Sequence, residues 1–259
     1  SVPCMFSPWG RDDYDGSAIE QHESLLDVLK LAGFDVLWID NQSGCKGVCD
    51  RVTSIKIDSS KLQSGCTQGE CFDDALRETL EERTKDLKRN TVIVLHEMGN
   101  HGPSYYKRYP KTYEKFTPVC RKDDLSQCDT QSIKNAYDNA ILYNDHVLSG
   151  MIDYLEKQNT VDATLLYASD HGESLGENGV YLHGLPYLIA PDEQTHVPMI
   201  WWLSKSILRD EGIDYGCIQS NAASHHSHAN LFHTILGLAQ VKTDVYDPSL
   251  DMAASCQSS

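Results

Sequence analysis

Residues 164–184 read Thr-Leu-Leu-Tyr-Ala-Ser-Asp-His-Gly-Glu-Ser-Leu-Gly-Glu-Asn-Gly-Val-Tyr-Leu-His-Gly. The first five form a short apolar run of strand length, and the chain then breaks into a glycine-punctuated loop. Asp170 and His171 stand directly after the run, where a carboxylate and an imidazole can both reach a zinc ion above a strand end. Glycine at 172, 176 and 179 lets the following backbone come close to a ligand. Taken alone, an Asp-His pair is a pair of turn residues. His183 at the end of this stretch and His101 in Gly-Asn-His-Gly-Pro add two more candidate ligands. Three loops of this kind could build a two-metal site of the sort that clamps attacking and leaving oxygens in phosphoryl transfer. The rival for His101 and His183 is a loop histidine bonded to backbone.

Outward from this stretch, strand-like runs recur at 35–39, 91–95 and 197–202, and helical periodicity fills the intervals at 19–31, 73–87, 131–157 and 224–238. Leu25, Leu26, Val28 and Leu29 share one side of the first. The second is charged and reads as surface-lying, and Leu231, Ile235 and Leu238 line the last. Alternating strands and helices predict an α/β fold, a three-layer sandwich with a mostly parallel central sheet. Ligands in such sheets gather at the carboxyl ends of strands. There lie Asp40-Asn41-Gln42-Ser43, the 96–103 loop and Asp170 to Ser174. His96 closes a strand near His101, where it could orient ligands. The 259 residues suit one large domain, and the tail after Pro248 reads as loosely held.

The net charge of −16 argues against nucleic acid and against simple adhesion to an anionic membrane. Phosphate chemistry on this chain needs local positive charge, and bound metal is its source. No apolar run approaches the ~20 residues that span a bilayer. The nine cysteines include the close pairs Cys45/Cys49, Cys66/Cys71 and Cys120/Cys128 in loop-like segments, and no C-x-x-C pair. Disulfides and an oxidising compartment follow. His225, His226 and His228 resemble a metal tract but also open a helix, and His22, His146 and His196 read as surface or satisfied polar residues.

The stretches 1–6, 40–50 (Asp-Asn-Gln-Ser-Gly-Cys-Lys-Gly-Val-Cys-Asp), 96–103 (His-Glu-Met-Gly-Asn-His-Gly-Pro), 135–140 and 169–184 together resemble the lipid A phosphoethanolamine transferases, including the mobile colistin-resistance proteins. The resemblance implies the alkaline phosphatase/sulfatase fold. It also implies that residues 1–259 are a periplasmic catalytic domain, truncated at its N-terminus, on the outer face of the Gram-negative inner membrane. One or two Zn²⁺ are implied, with Asp170 and His171 as ligands of the catalytic ion. His101 and His183 would hold a second ion or touch the donor phosphate, and Glu173 stands beside them. Asp13, Asn41, Ser43 and Lys46 match the phosphoethanolamine pocket. The three short cysteine pairs match family disulfides. The partners implied are phosphatidylethanolamine as donor, lipid A as acceptor and a membrane reached through upstream helices, for a protein expected to be a monomer.

Two departures stand out. The family's threonine nucleophile and a glutamate ligand precede the position of Ser1, as does the partner of Cys4, which leaves Cys217 and Cys256 as a fourth pair. Ser227-His228-Ala229-Asn230 replaces an expected Ser-His-Asp-Asn. Three rivals stay open: another envelope acceptor such as core heptose or a glucan, a sulfatase- or phosphatase-type hydrolase, and a zinc-binding fragment without catalysis.

Overall fold

The computed structural model describes residues 1–11, 15–58, 65–67, 70–158 and 161–257. Among the described residues, nine strands run in chain order: β1 Asp35–Asp40, β2 Thr53–Lys56, β3 Cys66–Thr67, β4 Glu70–Cys71, β5 Thr91–His96, β6 Thr164–Ala168, β7 Ser174–Leu175, β8 Tyr181–Leu182 and β9 Met199–Leu203. The α-helices are α1 Val2–Met5, α2 Gly16–Gln21, α3 Leu25–Leu31, α4 Asp74–Arg83, α5 Thr130–Glu156, α6 Asp192–Thr195, α7 Lys205–Asp210, α8 Tyr215–Asn221 and α9 Ala229–Leu238.

The central sheet has the order β2-β1-β5, all parallel, with Asp40 opposite His96. Side chains alternate across it, as the period of two requires. Val36, Trp38, Val92 and Val94 pack with Leu25, Leu26, Leu29, Phe232 and Leu236 of α3 and α9. Leu37, Ile39, Ile93 and Leu95 face the other way, onto Leu76 and Leu80 of α4 and Tyr143, Val147 and Met151 of α5. Helices therefore cover both faces, which is the three-layer sandwich expected. Each fully buried Leu or Ile contributes about 1.5–3 kcal/mol. Strand β9 pairs antiparallel with β6, so the parallel rule fails at this pair.

The helix expected over 19–31 is two helices. Ser24 caps α3, its backbone N–H and hydroxyl donating to Asp27 Oδ2 at 2.7 and 2.9 Å, and this capping box ends any continuous helix. Asp27 is buried and also takes Arg51 at 2.6 Å. Burial would raise its carboxyl, yet the bonds from Arg51 and Ser24 together hold it below the usual carboxylate range. The helix expected from 224 starts at Ala229, so the three histidines precede it. Helix α4 is no surface rod, because it buries Ala75, Leu76, Thr79 and Leu80. Strand β2 escaped the sequence reading because its residues are mostly polar and exposed.

Disulfides join Cys45–Cys49, Cys66–Cys71, Cys120–Cys128 and Cys217–Cys256. No helix among the described residues is long and apolar enough to cross a membrane.

Candidate active site

The loops leaving β1, β5 and β6 carry the chemistry. The β1–β5 register sets Asp40 beside His96, and Asp40 Oδ1 lies 2.6 Å from His96 Nδ1 and accepts from Trp38 Nε1 at 3.4 Å. His96 is thus held by a carboxylate at the floor of the strand ends.

After β6 the chain gives Asp170 and His171, then the hairpin β7–β8, whose register puts Ser174 opposite Leu182. That pairing brings the preceding Glu173 against the following His183, with Oε1 2.8 Å from Nδ1. The Glu173 side chain is 4% exposed and that of His183 is 32%. Gly172 is required here, since a Cβ would lie 2.1 Å from the Glu193 carbonyl oxygen; its own N–H donates to Gln194 O at 3.0 Å. The His171 and His183 rings stack at 3.8 Å, and His101 stands edge-on to His183 at 5.9 Å. Gly102 admits this approach: a Cβ there would meet the Tyr105 hydroxyl at 2.8 Å and Leu182 at 2.9 Å. Burial, and then the neighbouring Glu173, push the Tyr105 phenol well above its ordinary range.

Both stacked imidazoles have Nδ1 occupied, His171 by the Gly172 carbonyl at 3.0 Å and His183 by Glu173. Neither Nε2 makes a hydrogen bond among the described residues, the arrangement of zinc-binding histidines oriented through the opposite nitrogen. Asp170 Oδ1 lies 3.7 Å from His171 Nε2, with its side chain 41% exposed. Two imidazoles and a carboxylate with free donor atoms fit Zn²⁺. Among the described residues, the group of three donor atoms all within 4.8 Å of one another is Cys45, Cys49 and Asp50, and the disulfide withdraws its two sulfurs. Asp170, His171, His101 and His183 are brought to one place without reaching that convergence.

The headgroup residues fare differently. Asn41 spends its amide hydrogens on Asp73 Oδ1 at 2.7 Å and the Cys71 carbonyl at 3.0 Å, so it braces two loops. The Ser43 N–H donates to the side chain of its neighbour Gln42 at 2.8 Å, a local bond. Lys46, with φ 51°, lines a cavity of about 390 Å³ together with Trp9, Glu23 and Asp50, whose walls include none of the four candidate ligands. Asp13 lies outside the described residues.

Two residues were passed over. His228, doubted on sequence, sets Nε2 2.8 Å from the Ser169 carbonyl and so fixes the residue before Asp170. Burial pushes its imidazole below the ordinary range. Asp73 accepts from Asn41 and from the N–H groups of Met98 (2.9 Å) and Gly99 (2.8 Å), which anchors the loop that carries His101. The histidine tract at 225–228 was the signal for His228, and no local pattern marks Asp73.

The sequence profile of the sulfatase family matches residues 1–241. This chain belongs to the sulfatase family. Among sulfatase-family proteins it is 47% identical over 259 residues to phosphoethanolamine transferase EptA of Salmonella typhimurium, covering 99% of this chain and 47% of that protein. The chain thus spans about half the length of the curated relatives it matches. Lipooligosaccharide phosphoethanolamine transferase A of Neisseria meningitidis, at 41% identity and TM-score 0.96, has been solved as a soluble domain and as an integral membrane protein. The match covers all of this chain, with 78% and 49% of those chains. The periplasmic domain of Escherichia coli EptC in complex with Zn matches at 26% identity and TM-score 0.68, over 89% of this chain and 65% of that one.

Proposed function

We propose that this sulfatase-family chain is the catalytic domain of a zinc-dependent phosphoethanolamine transferase acting on lipid A at the periplasmic face of the Gram-negative inner membrane. The observation that carries the reading is the stacked His171–His183 pair at the strand ends, each Nδ1 hydrogen-bonded and each Nε2 without a hydrogen bond among the described residues. The relatives' named activity, phosphoethanolamine transfer, supplies the substrate class, and the oxidised cysteine pairs suit the compartment.

Asp170, His171, His101 and His183 would hold one or two Zn²⁺. Bound there, zinc supplies Lewis-acid charge stabilisation to a phosphoryl oxygen, in a chain whose own charge is −16. Glu173 orients His183 and Gly172 orients His171, so that both present Nε2. Lys46, on the wall of a cavity apart from the four ligands, would offer a point charge to the donor phosphate as it approaches, and Ser43 a hydroxyl to the headgroup. In the reaction, an upstream threonine oxygen would bond to phosphorus as the P–O bond to diacylglycerol breaks, the hydroxyl proton passing to the released diacylglycerol oxygen. A lipid A phosphate oxygen then takes the phosphoethanolamine group and frees the threonine.

The test uses the protein with its upstream segment in a polymyxin-susceptible Gram-negative host. His171→Ala abolishes the lipid A mass shift and the polymyxin tolerance that accompanies it. Lys46→Ala lowers transfer by roughly tenfold, because one charge-assisted contact is lost while the metal ligands remain. Modification of another envelope glycan with lipid A untouched makes the acceptor wrong. Rapid release of free phosphoethanolamine without acceptor makes the protein a hydrolase.

A further inference from the structure

Directly after His183 and Gly184 the chain reads Leu-Pro-Tyr-Leu-Ile, residues 185–189, and these side chains face solvent. Leu188 is 97% exposed, Ile189 68%, Tyr187 59% and Leu185 38%. Scattered exposed aliphatics are ordinary, but four large apolar side chains within five consecutive residues form a patch that marks an interaction site. The segment is built to hold them there. Pro186 O accepts from the N–H groups of both Ile189 and Ala190 at 2.9 Å, closing a tight turn. The turn is rooted in the site: Leu185 N–H donates to Gln194 Oε1 at 3.4 Å, and the buried Gln194 donates in turn to Ser174 Oγ at 2.9 Å. The guanidinium of Arg11 lies 3.7 Å over the Tyr187 ring. Aliphatic tips beside an aromatic ring and a cation are the composition of an element lying at a bilayer surface, where apolar groups enter the acyl boundary and the amphipathic ones stay at headgroup level.

We propose that the turn at residues 185–189 is a membrane-contacting element that seats the His171–His183 site against the phospholipid surface. The choice of lipid as occupant rests on the reading of the donor as a glycerophospholipid. The scissile phosphate of such a donor sits at headgroup depth, with its acyl chains a few ångströms below. A side chain two to six residues from His183 and unable to reach water-loving partners falls at that boundary when the phosphate reaches the histidines. A zwitterionic surface is the appropriate one, since a chain of net charge −16 is repelled by an anionic bilayer.

Three aliphatic side chains and one tyrosine bind too weakly to hold the chain on vesicles by themselves, so the test supplies the anchor. The chain is coupled through its N-terminus to a lipid in phosphatidylethanolamine/phosphatidylcholine vesicles, and Leu188→Trp reports its own surroundings. Docking gives a blue-shifted emission from the introduced indole, above the background of the wild-type chain, that acyl chains brominated near the headgroup quench. Adding Ile189→Ser and Leu185→Ser reduces the quenched fraction by roughly tenfold. Leu188→Trp without the serines but with His171→Ala quenches as before, which separates docking from catalysis. Emission that stays water-like on tethered vesicles overturns the proposal. A blue shift that depends on protein concentration and appears without lipid also overturns it, by assigning the patch to a second copy of the chain. Docking of the chain with lipid A left unmodified by the wild-type protein carrying its upstream segment tells against the transferase reading alone.

Discussion

Replacing Asp73 by alanine removes a single buried carboxylate that accepts three hydrogen bonds from two different loops. Two of those donors, the N–H groups of Met98 and Gly99, lie on the segment leading to His101, and the third is the amide of Asn41. Each donor left unmet costs about 1–3 kcal/mol when it is cut off from water. Asp73 and Gly99 also line a cavity of about 510 Å³, so water reaches part of the space opened and the lower end of that range applies. The expected loss is about 3 kcal/mol, which at this chain length lowers the melting temperature by about 6–12 °C. Asp73→Asn is the discriminating control. It keeps one oxygen for Asn41 and Met98 and turns an NH₂ toward the Gly99 N–H, so about 1–2 kcal/mol is lost. Urea unfolding of wild type and both variants, at matched m-values, measures the difference. The reasoning fails if alanine lies within 0.5 kcal/mol of wild type (about the scatter of a neutral surface change), or if asparagine costs as much as alanine.

Asp27→Asn destabilises the chain at neutral pH by about 1–2 kcal/mol through the lost bonds to Arg51 and the capping box. Because the folded-state pKa of Asp27 is depressed, its contribution is complete above the unfolded carboxylate range and fades as pH falls through the lowered value. Melting curves of wild type and Asp27→Asn therefore converge in acid, and parallel curves down to that range would contradict the assignment. Glu173→Gln leaves the hairpin folded but weakens zinc binding by about 10–100-fold in calorimetric titration, as expected for loss of the carboxylate that orients His183. Removing the Cys217–Cys256 bridge with a double serine variant costs about 4 kcal/mol on the chain-entropy argument for a separation of 39. Removing Cys45–Cys49, at a separation of 4, costs about half as much, a ranking that thermal unfolding of the two variants checks.

Apolar runs at 35–39, 91–95 and 164–168 declared their strands, because a strand buried on both faces must be apolar along its whole length. The Asp170-His171 pair at a strand end declared the candidate site for the same local reason, and the short cysteine pairs closed as read because four to eight residues of loop leave few other partners. Tertiary structure decided the rest. Whether residues 199–203 run parallel or antiparallel to β6 is invisible in their composition, since either direction buries the same side chains. His183 faces Glu173 only because the β7–β8 register sets them opposite. His228 meets Ser169 across 59 residues, and Asp73 meets Asn41 across 32. Those bonds are satisfied by whichever group the fold carries to them, and a polar side chain in a one-dimensional sequence has no periodicity that names its partner.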